Sequence, residues 1–401
     1  MHSRSSYSSL VEHLSQRQAI IITGMRRVGK STAVKYLLEH IKHKNKLYLD
    51  CERIEIRELL NRPNYEGIAE ELQLKGLDLS KPCVIALDEV QLVENLPSLI
   101  KYLYDTYSIK FIVTGSSSYY MRNKFSESLA GRKKIFELYP LSFIEFLKFR
   151  DIQVKQPANY AWQSFNKAWY DRFNKLYEEY IEYGGFPEVV LSSKIESKKD
   201  LLHDIINSYI ELDVRLLADF SASDDLYKLV KLLAARVGSK LDYTKLSSVS
   251  GINRQKISSY LQLLEYTYFA YTVKPFTTNV DKEISQQPKL YFSDTGILNA
   301  LAAKQISSGQ LFENVIAAQL KPQGTINYYQ KKSGQEIDFI FNNATAIEVK
   351  ETATSRDFDV LVQRSNSIKL KKHQLITRYP FVTAFENYYW GGNIFGMDKE
   401  K

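Results

Sequence analysis

A chain of 401 residues is long for one domain and points to two or three. Its 44% hydrophobic and 13% aromatic content excludes a disordered chain, and two cysteines exclude a disulfide framework. A net charge of +8 with pI near 9.0 favours a polyanionic partner, nucleic acid before membrane; no run approaches the ~18 apolar residues of a membrane span, so a reduced, cytoplasmic setting is expected.

In chain order, Ala19-Ile20-Ile21-Ile22 reads as a buried strand and Thr32 to Glu39 as a helix, with Gly24-Met25-Arg26-Arg27-Val28-Gly29-Lys30-Ser31 between them. A glycine-bounded loop at a helix N-terminus presents free backbone N–H groups and the positive end of the helix dipole to an anion. The spacing predicts a phosphate loop for ATP. Gly24, Gly29 and the backbone to Thr32 wrap the phosphates, Lys30 reaches the β- and γ-phosphates, and Ser31 ligates Mg²⁺. Arg26 and Arg27 touch either phosphate or a neighbouring element.

Leu47 to Asp50 reads as the second strand. Pro82 to Asp88 is an apolar strand ending in Asp88-Glu89: Asp88 is placed to hold the Mg²⁺ hydration shell, and Glu89 to polarise the water that attacks the γ-phosphate. Lys110 to Thr114 is a further strand, followed by Gly115-Ser116-Ser117-Ser118, where Ser116 is the residue placed to sense the γ-phosphate.

These three strand ends, in this order, resemble the AAA+ ATPases. A bacterial and archaeal branch of that group has a phosphate loop of the form G-x-R-R-x-G-K-[ST], and Ser128-Leu129-Ala130-Gly131-Arg132, Ile135 to Leu138 with Pro140-Leu141-Ser142, and Tyr183-Gly184-Gly185-Phe186-Pro187-Glu188 are similar to it. The resemblance implies an α/β fold with a parallel-sheet core, ATP binding and hydrolysis, and a lean toward homo-oligomers. It also matches Arg132 to a charge-stabilising arginine, in cis or across a subunit interface; the other reading of Arg132 is a solvated basic turn with Lys133 and Lys134.

On this reading residues 1–145 form the ATPase core and 146–220 a helical lid, broken at Pro157 and at the Gly184–Pro187 turn, which offers a hinge. Residues 221–280 read as a winged helix-turn-helix. Leu226 to Val237 carries Leu229, Leu232, Leu233 and Val237 on one face, Leu246 to Ile252 ends in a glycine turn, and Asn253 caps a helix bearing Ile257, Tyr260, Leu261 and Leu264. Tyr268 to Phe276 is strand-like and suits the wing. Arg254, Gln255 and Lys256 fall on the exposed first turn of the third helix, where a DNA reader needs them. Asp281 to Pro288 is linker-like.

Residues 285–401 carry a second signal: a helix from Gly309 to Leu320 with Glu313, then Ile326 to Gln330, Glu336 to Phe341, a loop Asn342-Asn343-Ala344, and Thr345 to Lys350. An acid followed by Glu-x-Lys on the next strand resembles the PD-(D/E)xK nucleases, without the proline of that name, since Ile337 precedes Asp338. The resemblance implies Mg²⁺ held by Asp338 and Glu348, with Glu313 as a further ligand and Lys350 orienting the attacking water; Gln363 stands on the following helix. A three-residue loop pairs Asp338 with Glu348 and sets Ile337, Phe339, Phe341, Ile347 and Val349 on the opposite face. Three functions follow: an ATP-driven DNA-processing nuclease, an ATP-switched DNA-binding or bridging protein with a silent nuclease-like domain, or a signalling NTPase.

Overall fold

The computed structural model describes residues 2–116, 129, 131–154, 165–213, 223–277, 286–302, 304–331, 334–380 and 388–394. They form two compact units, Met1–Tyr139 with Tyr266–Tyr268, and Pro140–Glu265 with Phe269–Lys401. Ser128, Ala130, Pro157 and most of the linker-like stretch lie outside the described residues.

In the first unit, strands β1 (Ala19–Thr23), β2 (Lys46–Asp50), β3 (Cys83–Asp88), β4 (Ile109–Gly115) and β5 (Lys133–Glu137) build an all-parallel sheet in the order β2-β3-β4-β1-β5. Every residue of β1 and β3 is buried, because both strands are interior and a parallel sheet is covered on both faces. Helix Leu96–Thr106 buries Leu96, Leu99, Ile100 and Leu103 at the three-to-four spacing of one apolar face. These side chains meet Ile85, Leu87, Phe111 and Val113 in the core. Since the strands run the same way, Thr23, Asp88 and Gly115 end at one edge of the sheet. That edge is where an open parallel sheet places its ligands.

The second unit begins with helices Phe143–Phe149, Lys167–Tyr183, Pro187–Leu191 and Ile195–Ser208, in keeping with the helical pattern of the sequence. Three more helices, Ser223–Ala234, Tyr243–Ser250 and Arg254–Tyr266, follow in chain order where the sequence pattern expects three. Gly251 ends the second of them in the left-handed region (φ 76°), and the Asn253 side chain accepts the Lys256 N–H at 2.8 Å to start the third. The first helix buries Leu226, Leu229, Val230 and Leu233; Leu232, expected on that face, is only half-buried because it sits one helical step away from Leu233.

The strand-like segment expected to form a wing is β6 (Ala270–Pro275), and it joins a larger sheet. β6 pairs antiparallel with β7 (Lys289–Phe292) and parallel with β8 (Ile326–Gln330). With β9 (Glu336–Phe341), β10 (Thr345–Lys350), β11 (Lys372–Thr377) and β12 (Tyr388–Trp390) the order is β12-β11-β10-β9-β8-β6-β7. The β9–β10 register is the expected one: Thr345 faces Phe341, Ala346 faces Ile340 and Ile347 faces Phe339.

One expected face is different. Between β8 and β9 the pairing shifts from Asn327↔Ile340 to Tyr329↔Ile337, so β9 carries one extra residue in the Asp338–Phe339 stretch. A bulge interrupts the alternation of faces and re-aims side chains. Ile337 therefore packs with Ile340, Ala346 and Leu361 rather than with Phe339, which meets the ring of Tyr291.

Candidate functional site

The loop after β1 is pinned against the sheet. The Leu138 N–H donates to the Thr23 carbonyl at 2.7 Å, and a Cβ on Gly24 (φ 150°) would stand 2.1 Å from the Leu138 carbonyl oxygen. Only glycine allows that approach. Lys30 opens helix Lys30–His40 and is 4% exposed. Its ammonium donates to the Gly24 and Met25 carbonyls, each at 3.1 Å, and lies 3.6 Å from Glu89 Oε1. Ser31 is half-buried in the first turn, while Arg27 and Thr32 are exposed.

Asp88, 3% exposed, is gripped from both neighbouring strands. Tyr48 Oη on β2 donates to Asp88 Oδ2 at 2.7 Å, and Thr114 Oγ1 on β4 donates to Oδ1. Burial first, and then the bond to Asp88, hold the Tyr48 phenol above its usual range. Thr114 Oγ1 also accepts the Glu89 N–H at 3.1 Å, which fixes Glu89 in the left-handed region at φ 52°. Such a conformation in a non-glycine residue is a strained feature that concentrates at functional sites. Gln91 then ties Glu89 to Ser116: its Nε2 donates to Glu89 Oε2 at 2.5 Å and to Ser116 Oγ at 3.1 Å. Sequence reading found Lys30, Asp88, Glu89 and Ser116 but missed Tyr48, Thr114 and Gln91. Parallel pairing of β2, β3 and β4 makes Tyr48 and Thr114 neighbours of Asp88, and that order is not written in any local motif.

In the second unit, Glu348 is 6% exposed and paired with Lys350 Nζ at 2.9 Å and Arg364 Nη1 at 3.7 Å. Arg364, not Gln363, is thus the side chain that the following helix sends to Glu348; Gln363 is exposed. Asp338 Oδ2 accepts the Val349 N–H at 2.8 Å. Glu313 Oε1 accepts from Tyr291 Oη at 2.6 Å and lies 3.8 Å from Lys289 Nζ. Lys289, on β7 and 5% exposed, also pairs with Glu336. Burial and then the charge of Asp338 push the Glu313 and Glu348 carboxyls up, both to about 7. Lys289 is raised despite its burial, because Glu313, Asp338 and Glu336 outweigh that effect.

The three expected metal ligands do not converge. Among the described residues no three His, Cys, Asp or Glu side chains gather closely enough to hold a metal ion. The carboxylates are instead divided among Lys289, Lys350, Arg364 and the Val349 N–H. Lys289 escaped sequence reading because β7 reaches this cluster only through its pairing with β6.

Comparison with known proteins bears on both units. A family model described as an AAA domain matches residues 16–147. That stretch is similar to an AAA domain. Two models of domains of unknown function match residues 174–308 and 308–394. An uncharacterized protein of Haemophilus influenzae is 26% identical over 338 residues, 82% of this chain and 80% of that protein. Another, of Methanocaldococcus jannaschii, is 26% identical over 365 residues, 87% of this chain and 79% of that one. Among solved structures, Aeropyrum pernix Orc1 in complex with DNA is 12% identical with a TM-score of 0.33, over 76% of this chain and 93% of that one. The Thermotoga maritima RuvB Holliday junction branch migration motor is 14% identical with a TM-score of 0.32, over 67% and 89%.

Within that stretch, Arg132 stands away from the loop after β1. It precedes Lys133, whose partner Ala19 begins β1, so Arg132 is at the edge of the sheet opposite the loop, paired with Asp105 at 3.1 Å. At the start of helix Arg254–Tyr266, Arg254 and Gln255 are exposed as expected, whereas Lys256 Nζ is engaged by Asp225 at 2.7 Å. No helix among the described residues is long and apolar enough to cross a membrane.

Proposed function

We propose that the AAA domain binds and hydrolyses ATP and that the second unit binds DNA, duplex or branched. The observation that carries the first part is the convergence of Lys30, Asp88 and Glu89 at one sheet edge, with Lys30 3.6 Å from Glu89. The loop backbone from Gly24 to Thr32, with Arg27, would wrap the phosphates and Lys30 would neutralise them. Each Asp88 oxygen carries one hydroxyl donor, which leaves lone pairs for the hydration shell of Mg²⁺, and Ser31 would take a direct ligand position. That ion would neutralise charge on the β- and γ-phosphates. Glu89 would polarise the attacking water, and Ser116 would contact the γ-phosphate. Arg132 would serve only a neighbouring copy's nucleotide, in a homo-oligomer.

The DNA reading rests on the net charge of +8 and on Arg254 and Gln255 at the exposed start of the third helix. Arg254→Glu is expected to weaken duplex binding on the order of tenfold and to lower the salt slope of affinity by about one. ATP turnover should not change. Lys256→Glu is a poorer test, because it sets two acids against each other at Asp225. Equal affinity of Arg254→Glu and the parent for duplex and branched DNA at low salt removes this helix from the interface.

A metal-dependent nuclease is the second reading. It is favoured by the register that brings Asp338, Glu348 and Lys350 together and by Glu348 Oε2, which is buried without a hydrogen-bond partner among the described residues. A panel of linear, single-stranded and branched DNAs with Mg²⁺ or Mn²⁺ tests it. Cuts that disappear in Glu348→Ala are expected. DNA held without cuts leaves a nuclease-like fold that only grips, with Lys289 and Lys350 as its internal counter-ions.

A further inference from the structure

We infer that Gln91 is a positioning residue that links the γ-phosphate contact at Ser116 to the water-polarising carboxylate of Glu89. The inference rests on the ATPase reading above. Gln91 lies in the short turn Val90–Leu92 directly after β3. Both bonds from its Nε2 are in place, to Glu89 Oε2 and to Ser116 Oγ, so the two amide hydrogens are spent on two elements, the end of β3 and the end of β4. Its Oε1 is buried and has no hydrogen-bond partner among the described residues. A buried amide oxygen left unpaired is costly. Its orientation is set by the acceptors: turning the amide over would place Oε1 against the Glu89 carboxylate.

The consequence is geometric. Glu89 has two oxygens, and Gln91 holds Oε2, which leaves Oε1 directed at Lys30 and therefore at the phosphate loop. Without Gln91 the carboxylate keeps, among the described residues, Lys30 at 3.6 Å as its partner, since the bond from its N–H to Thr114 fixes the backbone and not the rotamer. When phosphate draws Lys30 away, the amide is what keeps the carboxylate aimed at the attacking water. A γ-phosphate that engages Ser116 acts on the same amide, so occupancy and aim are linked through one side chain. No covalent step is assigned to Gln91 itself.

Steady-state phosphate release and equilibrium binding of fluorescent ATP and ADP, measured on the full chain, test this. Gln91→Leu is expected to lower kcat by roughly 10- to 100-fold while leaving the Kd for ATP within about threefold, because a misaimed carboxylate loses turnover and not phosphate contacts. Gln91→Glu sets a second carboxyl against Glu89. It should lose turnover at least as far as Gln91→Leu, because the charge it adds repels the carboxylate that the amide held. Gln91→Leu turning over within twofold of the parent overturns the inference. So does a Kd that rises by the same factor as kcat falls, which is the mark of a loop that has merely lost its shape. Lys30→Ala in the same assays separates the two readings. A parent without turnover sinks the ATPase reading and the inference with it. A parent that turns over, with Lys30→Ala inactive and Gln91→Leu unchanged, sinks the inference alone.

Discussion

Glu89→Gln should keep nucleotide bound and stop hydrolysis, with the rate of phosphate release falling by roughly 10²- to 10⁴-fold. The substitution is nearly isosteric, so Thr114 still receives the residue's N–H and the left-handed backbone persists. What disappears is the negative charge that draws a proton from water. Loss of that charge also relieves repulsion against the γ-phosphate, so affinity for ATP should hold or rise. Fluorescent ATP binding and phosphate release on the same preparation read both quantities. A variant that hydrolyses at the parental rate would mean another residue polarises the water.

The largest stability effect is expected far from the phosphate loop, at Gly184→Ala. Gly184 ends helix Lys167–Tyr183 at φ 76° and ψ −163°, a conformation nearly restricted to glycine. Its neighbour Asp294, 4% exposed, accepts the Gly185 N–H at 2.7 Å and the Ile297 N–H at 3.2 Å. An added Cβ would stand 2.1 Å from Asp294 Oδ1. Strain and displacement together should cost roughly 2–6 kcal/mol. Each kcal/mol lowers Tm by about 2–4 °C in a unit of this size. Gly251→Ala is the control: it shares a positive φ of 76° but has open space around it, so about 1 kcal/mol is expected. Thermal melts of equal midpoint for the two variants would show that the contact with Asp294 is not the source of the loss.

That contact also corrects the expected hinge. The Gly184–Pro187 turn is held by Asp294 on one side and on the other by the Leu141 N–H, which donates to the Gly185 carbonyl at 2.7 Å. Burial, working against the backbone N–H groups that hold its charged form, pushes the Asp294 carboxyl up to about 6. Two glycines looked like freedom in the sequence. In the fold they are the room that a buried aspartate needs.

Local pattern was enough wherever one segment determines its own shape. The β1–loop–helix order, the acidic end of β3, the caps at Gly251 and Asn253 and the β9–β10 register all followed from residue type and spacing. The register was legible because the length of the Asn342-Asn343-Ala344 loop sets it, although Ile337 packs with Ile340 and Ala346 rather than in the apolar layer expected with it. The bulge at Asp338–Phe339 was not, since it arises from β8, a strand whose own sequence says nothing about it. Lys289, Tyr48, Thr114, Gln91 and Asp294 share that origin. Each acts on a partner brought near by sheet order or helix packing. A lysine on a short strand or an aspartate after one has no signature until the partner is known.

The ring of Trp390 has a consequence for how the chain is made. It packs against Tyr177 at 5.1 Å and Phe143 at 6.2 Å, and Gln319 bridges the Tyr177 hydroxyl (2.9 Å) to the Gly391 carbonyl (3.3 Å). On the ribosome, β1 to β5 are all present once residue 137 has emerged, so the parallel sheet of the first unit can close early. Helix Lys167–Tyr183 has a different history: its aromatic face waits for a partner that is translated more than 200 residues after Tyr177. At typical synthesis rates that delay is roughly 10–40 s. Through that interval Tyr177 and Phe143 have each other, Tyr180 and Phe146 to pack on, but the side that Trp390 covers stays open on the nascent chain.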